Sequence, residues 1–171
     1  WVGERFEGKV RDVYKAKDNQ RVLITTDRQS AFDHVLAEIP CKGQVLNEIS
    51  AWWFEQTADI VPNHLISIPD PNVVITKDCK PFKIEMVVRA YITGVTSTSI
   101  WTAYEKGDRN FCGNELPDGM KKNQKIPQGP ILTPSTKPDT GHDKSVSPAE
   151  ALEMELCTEE EWNELAEKSL A

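Results

Sequence analysis

Thr26-Asp27-Arg28-Gln29-Ser30-Ala31-Phe32-Asp33-His34 brings an arginine, a serine and two aspartates together directly after a β-type run. Arg28 offers a planar fork that matches phosphate or carboxylate, and Ser30 adds a small donor beside it. Asp27 and Asp33 could orient that arginine, hold a metal, or accept hydrogen bonds from a sugar hydroxyl. An acidic, N-capping turn leading into a helix accounts for the same residues, and taken alone they favour it. Gly8-Lys9-Val10-Arg11 carries two cations on a flexible backbone, a spacing that suits a polyphosphate. Charged residues alternating outward on a half-exposed strand explain it as well. It is not a Walker loop, because the G-x-x-x-x-G-K-[ST] spacing is absent. Glu85 and Arg89 stand in the otherwise apolar run Phe82 to Ile92, where ionisable groups need partners or a ligand. A mutual Glu–Arg pairing would satisfy them equally. Lys137 closes Ile131 to Thr136, after three hydroxyl residues, and Gly141-His142-Asp143 follows.

These residues need elements to position them. Arg21 to Thr25 reads as a buried strand, and Gly8 to Tyr14 as the strand before it, joined through a turn at Lys17-Asp18-Asn19-Gln20 into a hairpin. Gln44 to Gln56 reads as a helix in which Val45, Leu46, Ile49, Trp52 and Trp53 share one face, expected to be core. Asn72 to Lys77 is a strand candidate. Phe82 to Ile92 is a long one, with Ile84, Met86 and Val88 on one side and Glu85, Val87 and Arg89 on the other. Thr98 to Tyr104 suggests a short helix. Gly107 to Pro138, rich in Gly, Pro, Asn and Lys, reads as one long functional or mobile connection. Ser147-Pro148-Ala149-Glu150 and Thr158-Glu159-Glu160-Glu161 are capping boxes that open two further helices. The acidic first turn of the second suits the positive end of a helix without any metal.

The chain of 171 residues is long enough for one ordinary domain or two small ones. A formal net charge of −7 argues against a general nucleic-acid or membrane-surface binder, while local basic clusters still admit small anions. Cys41, Cys79, Cys112 and Cys157 are widely spaced and read as reduced thiols in a cytoplasmic protein. No apolar run has the length of a membrane span. The sequence opens on Trp1 and stops at Leu170-Ala171 within a helical pattern, so both ends read as cut.

Taken in order, Gly8 to Tyr14, Thr26 to Asp33, Lys42-Gly43-Gln44-Val45-Leu46-Asn47-Glu48-Ile49-Ser50 with Trp53-Phe54, Ile84 to Arg89 through Thr93-Gly94, Leu132 to Lys137, and Gly141-His142-Asp143 strongly resemble the SAICAR synthetase family. These are the phosphoribosylaminoimidazole-succinocarboxamide synthases of purine biosynthesis. The resemblance spans nearly the whole chain, and its specificity lies in six motifs in the family order. It implies ATP-dependent joining of L-aspartate to the carboxylate of carboxyaminoimidazole ribonucleotide (CAIR), through an acyl phosphate, giving SAICAR, ADP and phosphate. ATP and Mg²⁺ are the implied cofactors. Lys9 and Arg11 resemble the phosphate-side cations, and Glu85, Met86 and Val87 the hinge against which adenine rests. Lys137 resembles the lysine that approaches ATP, and Asp143 an acid near the metal and aspartate. Asp27, Arg28, Ser30 and Asp33 match the substrate loop, and Arg89 the arginine on the CAIR side. Lys42 and Ser50 fall in a recurrent motif and are assigned a structural role.

Two departures stand out. The family usually reads Thr-Gly-Ser where this chain has Thr93-Gly94-Val95. Its later Asp-x-Lys-x-Glu-Phe-Gly motif and Ser-Ser-Arg segment do not occur, so the resemblance is to the N-terminal portion. The expected fold is α+β, kinase- or ATP-grasp-like. An antiparallel N-terminal sheet with a covering helix fills 1–84, and the start of a second α+β domain fills 85–171. Partners are then small molecules, without nucleic acid or membrane, and self-association stays open. A non-catalytic nucleotide- or anion-binding module and a kinase-like phosphotransferase are the alternative functions.

Overall fold

A computed structural model describes residues 2–31, 34–138 and 140–171. The chain is α+β and divides into two compact units, Trp1–Lys80 and Pro81–Ala171. The first unit is built on a five-stranded antiparallel sheet. Its strands are β1 (Val2–Glu7), β2 (Arg11–Ala16), β3 (Gln20–Thr25), β6 (Leu65–Asp70) and β7 (Val73–Lys77), in the order β1-β2-β3-β7-β6. A separate hairpin pairs β4 (Arg28–Ala31) with β5 (His34–Glu38), and α1 (Lys42–Gln56) follows it.

Gly8 to Tyr14 is not one strand. Gly8 closes a turn by donating its N–H to the Arg11 carbonyl at 2.9 Å, so β1 precedes the turn and β2 begins only at Arg11. The β2–β3 hairpin forms as the sequence indicates, with Asp18 and Asn19 supplying the positive φ values of its turn.

The face of α1 expected to be core is turned outward. Val45, Leu46, Ile49, Trp52 and Trp53 are all exposed, Trp53 by 54%. The helix docks instead by a second stripe at helical spacing, Gly43, Asn47, Ser50, Ala51 and Phe54, of which Gly43 and Asn47 are buried. Two contacts select it. A Cβ on Gly43 would stand 2.2 Å from the Thr25 carbonyl oxygen, so only glycine allows the helix backbone this close to the end of β3. Asn47 donates from Nδ2 to the Pro71 carbonyl at 2.9 Å, fixing the helix to the β6–β7 turn.

In the second unit the expected long strand from Phe82 to Ile92 is broken into three short pieces. These are β8 (Ile84–Glu85), β9 (Val88–Arg89) and β10 (Tyr91–Ile92). The reason lies in their partners, which come from the segment expected to be one long connection. That segment follows α2 (Ile100–Glu105) and holds β11 (Asn110–Phe111), β12 (Asn114–Glu115), β13 (Gln124–Lys125), β14 (Ile131–Leu132) and β15 (Ser135–Thr136). β8 pairs with β15, β9 with β14 and β10 with β13, while β11 and β12 pair with each other. β8–β15 and β9–β14 keep one antiparallel register, with the Thr133 N–H donating to the Val87 carbonyl at 2.8 Å between them, and the register shifts where β10 pairs with β13. The segment earns its order by burial: Phe111, Leu116, Met120, Ile126 and Ile131 join Ile92, Ile100 and Tyr104 in one core cluster. Both capping boxes form, Ser147 with Glu150 opening α3 (Pro148–Glu153) and Thr158 with Glu161 opening α4 (Glu159–Leu170). Trp162 of α4 and Ala151 of α3 pack with Ile84 and Val146 in a second cluster. Among the described residues no helix is long and apolar enough to cross a membrane. All four cysteines are free thiols.

Candidate functional site

In the first unit Thr26, Asp27 and Arg28, directly after β3, are tied to neighbouring segments. Asp27 works as the anchor of α1: its Oδ1 accepts from the Gly43 N–H at 2.9 Å and its Oδ2 from the Cys41 N–H at 3.1 Å. A carboxylate there satisfies orphan helix donors and complements the positive end of the helix. Lys42 donates from Nζ to the Arg28 carbonyl at 3.2 Å. Arg28 reaches back to the turn before β2. Its Nε donates to the Lys9 carbonyl at 3.2 Å, and its Nη2 to the Gly8 carbonyl at 3.0 Å and to Asp12 Oδ1 at 2.6 Å. Arg5 closes the cluster from the other oxygen of Asp12, 2.9 Å away. Asp12 is buried, and its carboxyl is held below the usual range, first by the hydrogen bond from Arg28 and then by the charges of Arg28 and Arg5.

Lys9 is exposed on that turn. Arg11 lies apart from the Asp12 cluster, lining a small space with Asn47, Ser50, Phe54 and His64 between the sheet and α1. Its charge, after burial, helps push the His64 imidazole down. Ser30 is half-buried on β4, and Asp33 lies outside the described residues.

The second unit gathers a different set. Lys137 follows β15, and its Nζ contacts Glu85 Oε2 at 2.9 Å and Asp143 Oδ2 more closely still. The pairing β8–β15 brings Glu85 and Ser135 into register and so explains the first contact. Lys137 is pushed above its ordinary range, first by the bond to Asp143 and then by that to Glu85. It stays an ammonium at any neutral pH. Beside it opens a hollow of about 540 Å³, lined by Lys83, Lys137, His142 and Lys144 with Met154 and Leu156. Its lining mixes basic side chains with apolar ones, the composition of a pocket for a small organic ligand.

Met86 and Val87 fall between β8 and β9, half-buried, and the Val87 carbonyl accepts from the Thr133 N–H at 2.8 Å. Arg89 donates from Nε to Thr133 Oγ1 at 2.8 Å, so its partner is that threonine and not the Glu85 one strand piece away. Among the described residues no cluster of three or more His, Cys, Asp or Glu converges as a metal cage. Glu85 and Asp143 nevertheless stand together on Lys137, and a pair of carboxylates completed by phosphate oxygens and water is how Mg²⁺ is commonly held.

Sequence reasoning missed Asp12, Arg5 and Thr26 as members of the first cluster. Thr26 Oγ1 donates to the Val10 carbonyl at 2.8 Å. No spacing announces such contacts, because they run between different segments, 7 to 20 residues apart.

The family model for SAICAR synthetase matches residues 4–171. The chain belongs to the SAICAR synthetase family. The phosphoribosylaminoimidazole-succinocarboxamide synthase of Legionella pneumophila (strain Paris) is 55% identical over 168 residues, which are 98% of this chain and 53% of that protein. The chloroplastic synthase of Vigna aconitifolia is 57% identical over 167 residues, 98% of this chain and 48% of that one. The chain therefore spans about half the length of the curated relatives it matches. Among solved structures, the SAICAR synthase of Saccharomyces cerevisiae complexed with SAICAR superposes with a TM-score of 0.81. It is 33% identical, covering 96% of this chain and 58% of that one. A type-2 SAICAR synthetase in complex with ADP shares the fold, with a TM-score of 0.76 at 21% identity over 98% of this chain and 64% of that one.

Proposed function

We propose that the chain is the nucleotide- and substrate-holding part of an ATP-dependent ligase that joins L-aspartate to the carboxylate of CAIR. The observation that carries this reading is the family match over residues 4–171. The yeast relative's complex with SAICAR, the product of such a reaction, supports it. In this reading the CAIR carboxylate attacks the γ-phosphorus of ATP and ADP leaves. The aspartate amine then attacks the acyl phosphate carbon, loses a proton and expels phosphate. Every species involved is an anion, so the protein must supply positive charge in the right place.

Lys9, on its turn, meets the nucleotide phosphates, and Arg11 adds charge from β2. The Glu85-Met86-Val87 stretch carries the adenine. Lys137 is the lysine that approaches ATP: it leaves its two carboxylates for the phosphates and stays charged throughout. Ser30 and Arg89 serve the CAIR side. Mg²⁺, held by Asp143 with phosphate oxygens, would neutralise phosphate charge. The thiols suit a cytoplasmic enzyme.

The test is ADP release measured with ATP, Mg²⁺, CAIR and L-aspartate, with mass-spectrometric detection of SAICAR. Release that needs both CAIR and aspartate is expected of the full-length enzyme to which this part belongs. Release without aspartate would make the protein a phosphotransferase and end this reading. Thermal stabilisation by ATP without turnover would favour a binding module instead. Ligand at 100 times its dissociation constant adds about 2.7 kcal/mol, an ample signal. Lys9→Ala is expected to weaken ATP about tenfold by calorimetry, and unchanged affinity removes Lys9 from the site.

A further inference from the structure

Three consecutive carbonyls of the turn before β2 are held from one place. Gly8 and Lys9 accept from the Arg28 guanidinium at 3.0 and 3.2 Å, and Val10 accepts from both the hydroxyl and the N–H of Thr26 at 2.8 and 3.1 Å. The guanidinium is itself fixed by Asp12, and the pair is largely sequestered, with 17% and 12% of the two side chains exposed. The turn has no slack: a Cβ on Gly8 would lie 2.8 Å from the Arg11 carbonyl oxygen. From these contacts we infer that Arg28 is a positioning residue, setting the turn from which Lys9 reaches the nucleotide phosphates. A planar fork suits this task, since two neighbouring carbonyls and a carboxylate need donors in fixed directions. A binding cation displaced by an ångström loses much of its effect on charge, so the clamp translates into affinity. The inference rests on the proposed reading of Lys9.

The experiment compares wild type, Lys9→Ala, Arg28→Gln and the double variant. Calorimetry measures binding of ATP and of CAIR, and hydrogen exchange follows the Gly8 amide. Arg28→Gln should weaken ATP about tenfold, equivalent to about 1.4 kcal/mol, and leave CAIR unchanged. It should also speed exchange at Gly8. The double variant should bind ATP no worse than Lys9→Ala, because the two residues act as one device. Arg28→Lys, which keeps the charge but not the fork, should reproduce the ATP loss, and it replaces Arg28→Gln if that variant fails to fold. Additive losses, loss of CAIR rather than ATP, or full ATP binding in Arg28→Lys would each overturn the inference. If Lys9→Ala binds ATP normally, the reading of Lys9 fails on its own. The clamp is then judged by exchange at Gly8, and protection as in wild type would overturn it too.

Discussion

Gly43→Ala adds one methyl group, and the structure sets its consequence. The new Cβ would lie 2.2 Å from the Thr25 oxygen, 2.9 Å from the Thr25 carbonyl carbon and 3.0 Å from the Thr26 carbonyl carbon. All three are backbone atoms, so no side chain can swing away. α1 must move off the end of β3, and forced overpacking of this kind costs about 1–3 kcal/mol. The same movement stretches the bond from the Gly43 N–H to Asp27 Oδ1, and a hydrogen bond to a charged group contributes about 1.5–3 kcal/mol. Alanine's better helix propensity returns about 1 kcal/mol. A net loss of about 1.5–5 kcal/mol is expected. For a unit of this size that lowers the melting temperature by about 6 °C at the least and by tens of degrees at the upper end.

Far-UV circular dichroism with thermal and urea denaturation reads the loss. Gly119→Ala is the control: its φ is +76° and nothing lies within 4 Å of the added Cβ. It suffers only the left-handed penalty of about 1–2 kcal/mol. If Gly43→Ala were as stable as wild type, or no worse than Gly119→Ala, close backbone approach would not be what seats α1.

Two further outcomes follow from the charges and thiols. Asp12 has a folded pKa below its unfolded value, so it contributes stability above about pH 4 that fades as pH falls through the folded value. The urea midpoint of Asp12→Asn should therefore trail wild type at pH 7 and close on it as the pH falls below about 4, and a constant gap would count against the Arg28–Asp12 pair. With a thiol reagent at pH 8, exposed Cys41 and Cys79 should react fast. Cys112, whose thiol burial pushes up to about 11, and buried Cys157 should react slowly. Equal rates for all four would contradict the core packing around Cys112.

The β2–β3 hairpin, β7, α2 and both capping boxes were legible because each is specified by neighbouring residues: turn formers at Asp18 and Asn19, hydroxyl and glutamate three apart at Ser147 and Thr158. β1 and β6 escaped, since their place is fixed by partners rather than by pattern. Gly107 to Pro138 misled for a related reason. Its two-residue strands carry no periodicity, and only the burial of residues such as Leu116 and Ile126 reveals that it is ordered. The acidic, capping reading of the Asp27 stretch named the kind of contact but not its partner, since the helix it meets starts beyond the β4–β5 hairpin, and nothing around Arg28 says that it turns back to Gly8.

The α1 error carries the physical lesson furthest. Hydrophobic periodicity identifies the apolar side of a helix, and buried area usually decides which side docks. Here a glycine and an asparagine overrule it. Gly43 admits the helix to contact distance, Asn47 fastens it, and Asp27 collects two of its first N–H groups. The gain is geometric: α1, the end of β3 and the residue preceding Arg28 become one rigid joint. Through Arg28 that joint extends to the turn bearing Lys9, which a greasy, slippery contact would have left free to slide.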